Sequence, residues 1–236
     1  MVLCPNCHHM ATVGAMTEAE QRYYKMEPFN IKRGFVEGQL KVNQNAVAVS
    51  IGSNQFVNDG DLILVDDESL ISLSVDQNGR LEVSLRLYDR NDMLLASVVQ
   101  NEWVSGDQLP WDLQSGFQWL RVTQAARNIA LELDARRMPL SLVANLWRKG
   151  QNIALSGTWI KFNGVVKNVG FANLCFVALQ LVVDTKGGTF SVRPDPRYGK
   201  GSLVSWPDVT ERVSKGLNAF NELTQSKVQR RKLLGD

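Results

Sequence analysis

The sequence predicts a mainly β protein that ends in one amphipathic α-helix, and three observations support this. Between Val42 and about Phe162, short runs rich in Val, Ile, Leu and Trp alternate with Gly, Asn and Asp, as in strands that are joined by turns. Pairs such as Asn78-Gly79 can take the positive φ values of tight hairpins. After Pro207 the apolar residues change to helical spacing.

The composition limits the functions that overall charge can explain. The chain has 236 residues, with 26 basic and 24 acidic side chains and a formal net charge of +2. Folding a chain of this length buries about 70% of the unfolded surface, so no disulfide or metal is needed to hold the fold together. A nearly neutral chain has no overall attraction for nucleic acid or for a membrane surface.

Residues 1–41 are predicted to form an irregular arm with one helical signal. Thr17 and Glu20 stand three positions apart, which is the spacing of a capping box, where each side chain accepts a hydrogen bond from the other residue's backbone N–H. The helix is expected to end before Pro28, because the residue before a proline is pushed out of helical geometry.

The most specific motif in the arm is Cys-Pro-Asn-Cys-His-His, which begins at the fourth residue. Two thiolates three positions apart in a tight turn can reach one zinc ion at about 2.3 Å. The sequence therefore predicts half of a zinc site with four candidate ligands: Cys4, Cys7, His8 and His9. The remaining cysteine, Cys175, stands alone in an apolar run. Three alternatives stay open: the histidines and another group close the site, a second chain completes it, or the motif holds no metal.

Residues 42–184 are predicted to form a β-rich scaffold. Alternation of apolar and polar residues marks the strands, as in the run Leu81–Leu87. Three turn signals are expected to reverse the chain, at Asp59-Gly60, Asn78-Gly79 and Asp89–Asp92.

An internal repeat favours stacking of similar strand-turn units within this scaffold. Two segments share the order Asp, Met, Leu, Val, Asn, Trp, with a one-residue gap before the Asn: Asp89, Met93, Leu95, Val98, Asn101, Trp103 and Asp134, Met138, Leu140, Val143, Asn145, Trp147. Such units stack in a β-solenoid, but an antiparallel β-sandwich uses the same short strands and turns. The predicted fold class is therefore mainly β, as β-solenoid-like stacked units or as an antiparallel sandwich, with a carboxyl-terminal amphipathic helix.

Residues 185–204 are rich in Gly and Pro and are predicted to be a loop, and residues 205–236 are predicted to form the amphipathic helix with a basic end. Ser205 is the expected cap, and Pro207 suits the first turn. Such a helix is not stable alone in water. We therefore expect its apolar stripe to bind a partner surface, which is either the scaffold's own end or another subunit; the partner-binding residues are Val209, Val213, Leu217 and Phe220.

The last turns of this helix are cationic and support an alternative function. Four basic residues, Lys227, Arg230, Arg231 and Lys232, can contact the phosphates of a nucleic acid. Cations in the last turn of a helix are also what the helix dipole favours, without any ligand.

Two carboxylate pairs, Asp66-Asp67 and Glu132 with Asp134, keep a glycosidase-type hydrolase open as a further alternative. Each pair falls in a predicted turn or on the polar face of a strand, where a solvated acid is the usual state. The two histidines lie in the arm, so a preorganised catalytic triad is not expected.

These observations favour a non-enzymatic structural or protein-interaction module that binds a protein partner or assembles as a homo-oligomer. Nucleic-acid binding through the Cys-containing motif and the basic tail is the alternative. No membrane role is expected, because the longest apolar stretch, Val169–Val183, is shorter than the ~20 residues of a spanning helix. Three cysteines in a chain without a secretory signal indicate the cytoplasm.

Overall fold

A computed structural model of the chain describes residues 12–15, 17–26, 45–105, 112–116, 118–125, 127–156, 159–166 and 173–234. Its two longer helices are α1 (Glu18–Met26) and α2 (Val209–Leu234). Eighteen strands lie within these residues: β1 Val47–Ile51, β2 Asn54–Asn58, β3 Gly60–Val65, β4 Glu68–Val75, β5 Leu81–Tyr88, β6 Leu94–Val99, β7 Glu102–Ser105, β8 Asp112–Gly116, β9 Trp119–Ala125, β10 Asn128–Asp134, β11 Leu140–Arg148, β12 Gln151–Leu155, β13 Ile160–Phe162, β14 Val165–Val166, β15 Leu174–Val177, β16 Leu179–Asp184, β17 Thr189–Pro194 and β18 Ser202–Ser205.

The strands form one curled mixed sheet, which confirms the mainly β prediction with a carboxyl-terminal helix. Strands β3 to β7 and β8 to β14 follow one another as antiparallel neighbours. Three parallel pairings join distant parts of the chain: β1 with β11, β2 with β15, and β3 with β16. The sheet therefore combines local hairpins with parallel contacts that no hairpin can make.

The concave face of the sheet encloses the main hydrophobic core. Strand β5 shows how the sequence produces this face, since its alternate residues from Leu81 to Leu87 are buried while those between them are not. At the centre, the rings of Phe56 and Phe176 stack with centroids 4.8 Å apart. Side chains on alternate positions of a strand point to opposite faces, so this alternation directs one side of each strand into the core.

Helix α2 covers the opposite face of the central strands and creates a second hydrophobic core. This second core consists of Ala46, Ala48, Val57, Cys175, Val177, Ala178, Val213 and Phe220. Strands β2 and β15 are therefore buried on both faces, which explains why Cys175–Val177 is an unbroken buried run. Such strands read as continuous apolar sequence.

Two of the three predicted turns are confirmed. Asn78-Gly79 lies between the antiparallel strands β4 and β5, and Asp89–Asp92 lies between β5 and β6. In both turns the first Asp closes the loop: Oδ1 of Asp76 accepts from the N–H groups of residues 78 and 80, at 2.8 and 2.7 Å. Oδ1 of Asp89 accepts from residues 91 and 93, at 2.8 and 2.9 Å.

The hairpin predicted at Asp59-Gly60 is wrong. Strands β2 and β3 do not pair with each other there; they pair in parallel with the consecutive strands β15 and β16. Gly60 has φ of 128°, and a Cβ on it would collide with the guanidinium of Arg197. The glycine at this bend therefore admits a side chain from a distant loop instead of reversing the chain.

The internal repeat holds through its first half only. Leu95 and Leu140 are both buried and follow turns led by an Asp. Asn101, however, lies in the turn between β6 and β7 with φ of 68°, whereas Asn145 lies inside the long strand β11. The similarity therefore marks a shared turn-and-strand unit and does not extend to a full repeat.

The carboxyl-terminal part differs from the prediction in two ways. The passage 185–204, expected to be a loop, contains strands β17 and β18, which pair with β16 and β15. Helix α2 begins at Val209, and the cap is Asp208 rather than Ser205, because Oδ1 of Asp208 accepts from the N–H of Glu211 at 2.9 Å. The capping box of α1 is confirmed, with Thr17 N–H donating to Glu20 at 2.8 Å.

Candidate interaction surface

The predicted zinc ligands Cys4, Cys7, His8 and His9 lie outside the described residues. The ranges that the structure does describe contain no group of three or more His, Cys, Asp or Glu side chains that could hold a metal ion. The zinc site stays a prediction.

Three of the four carboxylates of the hydrolase alternative are held by other groups in the chain, and the fourth, Asp67, is exposed in the turn after β3. Asp66 accepts from Lys149 Nζ at 2.8 Å and from the Thr185 N–H at 2.8 Å. Glu132 pairs with Arg121 at 2.7 Å, and Asp134 pairs with Arg136 at 2.6 Å.

These contacts set the protonation of the two aspartates. Hydrogen bonds from Lys149 and Thr185 hold the pKa of Asp66 well below its usual range, and those from Arg136 lower the pKa of Asp134 to about 2. A general acid needs a raised pKa, so neither carboxyl is adapted to that role.

A larger ionic cluster joins strands β4, β5 and β11. Glu68 accepts from Tyr88 Oη and from Arg148 Nε, both at 2.7 Å, and Arg148 also donates to Asp92 at 2.6 Å. The guanidinium of Arg148 lies 4.1 Å from the centre of the Tyr88 ring. Burial and the bond to Glu68 raise the pKa of Tyr88 to about 12. This cluster fixes the crossing of β5 and β11, where Trp147 and Tyr88 are the paired residues.

The four predicted partner-binding residues of the helix differ in their exposure to solvent. Val213 and Phe220 are buried in the second core, and Leu217 packs at its margin, so these side chains cover the chain's own sheet. Val209 is 40% exposed at the start of α2. The part of the stripe that remains available to a second molecule is its amino-terminal end.

Val209 is one of three exposed apolar residues on the segment that runs from an open sheet edge into α2. In the part of the chain that the structure describes, β18 pairs with β15 on one side and with no strand on the other. Leu203 on this strand is 51% exposed, and Trp206 just after it is 38% exposed. We call Ser202–Ser205 together with Trp206 and Val209 the β18 edge.

Charged groups of both signs flank the β18 edge. The Nζ of Lys215 lies 3.4 Å from the centre of the Trp206 ring, and the indole N–H of Trp206 donates to the carboxylate of Glu211. Asp208, three residues before Glu211, is exposed, and Lys200 is exposed just before β18. The edge therefore combines apolar surface, unpaired backbone groups and mixed charge.

A second surface is built on the loop between β17 and β18 around a buried carboxylate. Asp195 is fully buried, and its Oδ2 accepts from Arg197 Nη2 at 2.5 Å and from Asn58 Nδ2 at 3.3 Å. Its Oδ1 accepts from the N–H of Arg197 at 2.9 Å. We call residues 194–201 the Asp195 loop.

The Asp195 loop is also tied to helix α2. The ring of Tyr198 packs edge-on against Phe220 with centroids 5.1 Å apart, and Lys227 Nζ donates to the carbonyl oxygen of Arg197 at 2.6 Å. Burial raises the pKa of Asp195, but the hydrogen bonds from Arg197 and Asn58 outweigh it, so that the net pKa is lowered. Burial also raises the pKa of Tyr198 to about 12.

Of the predicted nucleic-acid residues, the structure places Lys227 against the Asp195 loop. The side chains of Arg230, Arg231 and Lys232 are outside the described part, although the helix backbone continues through them to Leu234. The sequence reasoning missed Asp195 and Arg197. The Asp-Pro-Arg order could have indicated a turn in which the Asp accepts from the residue two positions later, but not the burial of that carboxylate.

No helix within the described ranges is long and apolar enough to cross a membrane. Comparison of this chain with protein-family models, with curated proteins and with solved structures found no match.

Proposed function

We propose that this chain is a non-enzymatic assembly module that pairs with a second copy of itself at the β18 edge. The observation that carries the proposal is the open side of β18 beside the exposed side chains of Leu203, Trp206 and Val209. An unpaired strand presents a row of free N–H and C=O groups that another strand can bind. The adjacent apolar side chains supply surface to bury in the contact.

The mixed charge of the edge favours a second copy of the chain over a partner whose surface charges are all of one sign. In a two-fold symmetric interface the same patch meets itself, so it must be self-complementary. Asp208 and Glu211 supply negative charge, and Lys200 and Lys215 supply positive charge. Antiparallel pairing of two β18 strands brings such groups of opposite sign within reach of each other.

The test is sedimentation equilibrium over a range of protein concentrations. We expect the wild-type chain to approach twice the monomer mass, and Leu203→Lys to remain monomeric because it places a charge at the centre of the contact. Val165→Lys is the matched control, since Val165 is 59% exposed on β14, away from this edge, and it should dimerise like wild type. A wild-type chain that is monomeric at every concentration would refute the proposal.

Nucleic-acid binding is a second candidate, and the contact between Lys227 and the Asp195 loop favours it. This contact places Lys227 on the loop that carries the exposed residues Arg197 and Lys200. Clustered cations of this kind bind phosphates in a strongly salt-dependent way.

Fluorescence anisotropy with a labelled single-stranded oligonucleotide tests this second candidate. Lys200→Ala with Lys227→Ala, which leaves the pairing of Arg197 with the buried Asp195 intact, should weaken binding and reduce its salt dependence, whereas Arg90→Ala, an exposed cation on the β5–β6 turn, should not. Equal binding by both variants would exclude this surface.

A further inference from the structure

The first two turns of helix α2 bury few side chains against the sheet. Of residues 209–215, only Arg212 and Val213 are buried. Residues 205–211, which lead into these turns and begin them, are all exposed. Apolar side chains stabilise a docked helix roughly in proportion to the area that they bury, so the apolar contribution to docking comes mainly from Val213 in this part of the helix.

The other buried side chain of these turns is a charge without a counter-ion. Arg212 is 0% exposed, and its Nε and Nη1 atoms have no hydrogen-bond partner among the described residues. The bond from its Nη2 to the carbonyl oxygen of Pro207 is long, at 3.4 Å. Burial raises the pKa of the Cys175 thiol to about 12 against the opposing charge of Arg212, so the thiol is neutral and cannot pair with it. A buried charge without a partner is strongly unfavourable, and Arg212 therefore opposes docking.

A polar atom of the sheet adds to this cost. Phe220 contacts the Asp195 loop, which joins β18 at the Val177 end of β15. The earlier turns of α2 therefore lie toward the other end of β15, where Cys175 contacts Gly216 and pairs with Gln55. Gln55 is 4% exposed, and its Oε1 is buried without a partner in the described part of the chain.

The carboxyl-terminal part of α2 is held by better contacts. Phe220 is buried and packs edge-on against Tyr198, and Lys227 Nζ donates to the carbonyl oxygen of Arg197 at 2.6 Å. Gly216 stands between this part and the first two turns. Glycine is, after proline, the least favourable residue inside a helix because its backbone is the most free. The helix therefore bends more easily at Gly216 than at its neighbours.

We propose that residues 209–215 form a strap that opens about Gly216 while the rest of α2 stays docked, and that the buried charge of Arg212 drives the opening. In the open state water hydrates the guanidinium, which relieves the cost of its burial. Cys175 stays covered, because Gly216 lies directly on it. The strap opens within one chain and needs no second copy.

Opening of the strap also regulates the β18 edge, and this consequence rests on the assembly proposed above. Val209 belongs to the strap, and Glu211 and Lys215 of the strap both contact the indole of Trp206. Two of the three exposed apolar side chains of the edge are therefore tied to the strap. The closed strap completes the edge, and the open strap removes apolar surface from it.

Hydrogen exchange of the whole chain at low protein concentration, measured by mass spectrometry with fragmentation to single residues, tests the strap. We expect the amides of residues 213–215 to exchange about 10-fold faster or more than those of residues 221–224, as a separately opening segment does. Arg212→Met removes the charge and keeps a long apolar side chain, so it should slow exchange of the strap amides by about 10-fold or more. Arg90→Met, at an exposed cation on the β5–β6 turn, is the matched control and should leave that exchange unchanged.

Two outcomes overturn the proposal. Equal exchange of the two sets of amides in wild type would mean that α2 opens as one unit. Equally fast exchange of the strap amides in Arg212→Met would mean that the helix end frays whatever side chain it buries. Should Arg212→Met fail to fold, Arg212→Leu takes its place under the same criteria. Leu203→Lys should exchange its strap amides at least as fast as wild type, so failure of the assembly proposal and failure of the strap give different results.

Discussion

Gly216 lies where helix α2 crosses strands β2 and β15, and its lack of a side chain determines how closely the helix approaches. A Cβ at this position would stand 2.5 Å from Cys175 Sγ and 3.2 Å from Val57 Cγ2. Glycine inside a helix normally destabilises it by about 1 kcal/mol relative to alanine. Here the close approach outweighs that preference, because it lets the second core form.

We therefore expect Gly216→Ala to lower the free energy of unfolding by about 1–3 kcal/mol, as overpacked core positions do, when measured by urea denaturation. Asn218→Ala, at an exposed position of the same helix, is the control and should change stability by less than about 0.5 kcal/mol. Adding Cys175→Ala to Gly216→Ala should recover part of the loss. If Gly216→Ala stabilises the protein, helix propensity controls this position and the packing argument is wrong.

Asp195 gives the protein a defined pH dependence. Its folded-state pKa is lowered, below the unfolded value of about 3.9, so the stabilisation is complete above the unfolded pKa and is lost as the pH falls through the folded pKa. Asp195→Asn should reduce the free energy of unfolding by about 1–3 kcal/mol at pH 7, since donors are left facing an amide.

Urea denaturation between pH 7 and pH 3 checks this prediction through the difference between wild type and Asp195→Asn. The difference should begin to shrink below about pH 4, where the carboxyl takes up a proton in the unfolded chain while the folded carboxyl is still ionised. Asp67→Asn, in the exposed β3–β4 turn, provides the control and should stay close to wild type throughout. A difference that is constant with pH would mean that charge on Asp195 does not contribute.

At the scale of the element, helix α2 is stabilised by the carboxyl-terminal part of its apolar stripe. Phe220 is 1% exposed and contacts the ring of Tyr198 in the Asp195 loop, whereas Val209 is 40% exposed to solvent. Phe220→Ala should lower the free energy of unfolding by about 3–5 kcal/mol, and Val209→Ala by no more than about 0.5 kcal/mol. Thermal and urea denaturation of the two variants at low protein concentration give the comparison. Equal losses would show that Val209 is buried by something beyond this chain.

Elements with strong local patterns could be predicted from the sequence. The alternation of β5, the turns before β5 and β6 and the spacing of α2 each depend on residues close together in the chain, and all three are confirmed. Strands β17 and β18 were missed because glycines and prolines surround them and their apolar residues are few. What makes them strands is their pairing with β16 and β15.

The interaction surface was predictable only in part. The apolar stripe of α2 was visible in the sequence, but which end of it is exposed depends on where the helix meets the sheet. Arg212 resembles an ordinary surface cation of a helix, and nothing local indicates that it is enclosed. Its burial results from the packing of α2 on strands β2 and β15.

At the scale of the whole molecule, the parallel pairings bring strands from the beginning of the β-rich region next to strands from its later part. Strands β1 to β3 pair with β11, β15 and β16, which follow much later in the chain. The central strands then separate the main core from the second core under α2. Two cores of unequal size share one layer of strands, so loss of the smaller one need not unfold the larger.

This division predicts that α2 undocks from the sheet at a lower free energy than global unfolding, and Cys175 can report it. The thiol is fully buried in the second core, and burial raises its pKa to about 12, so it should not react while the helix is docked. Replacing Cys4 and Cys7 by Ser leaves Cys175 as the single thiol.

Labelling of this single-cysteine chain with a maleimide, followed by mass spectrometry at increasing urea, measures the opening. We expect labelling to begin at urea concentrations at which the circular dichroism of the sheet is unchanged. Adding Phe220→Ala should accelerate labelling in the absence of urea by about 100-fold or more, because a loss of about 3 kcal/mol in docking energy corresponds to that factor. Val209→Ala should leave the rate near that of the parent. If labelling instead follows the global unfolding curve, and Phe220→Ala changes both together, the two cores unfold as one cooperative unit and α2 is an integral layer of the sheet.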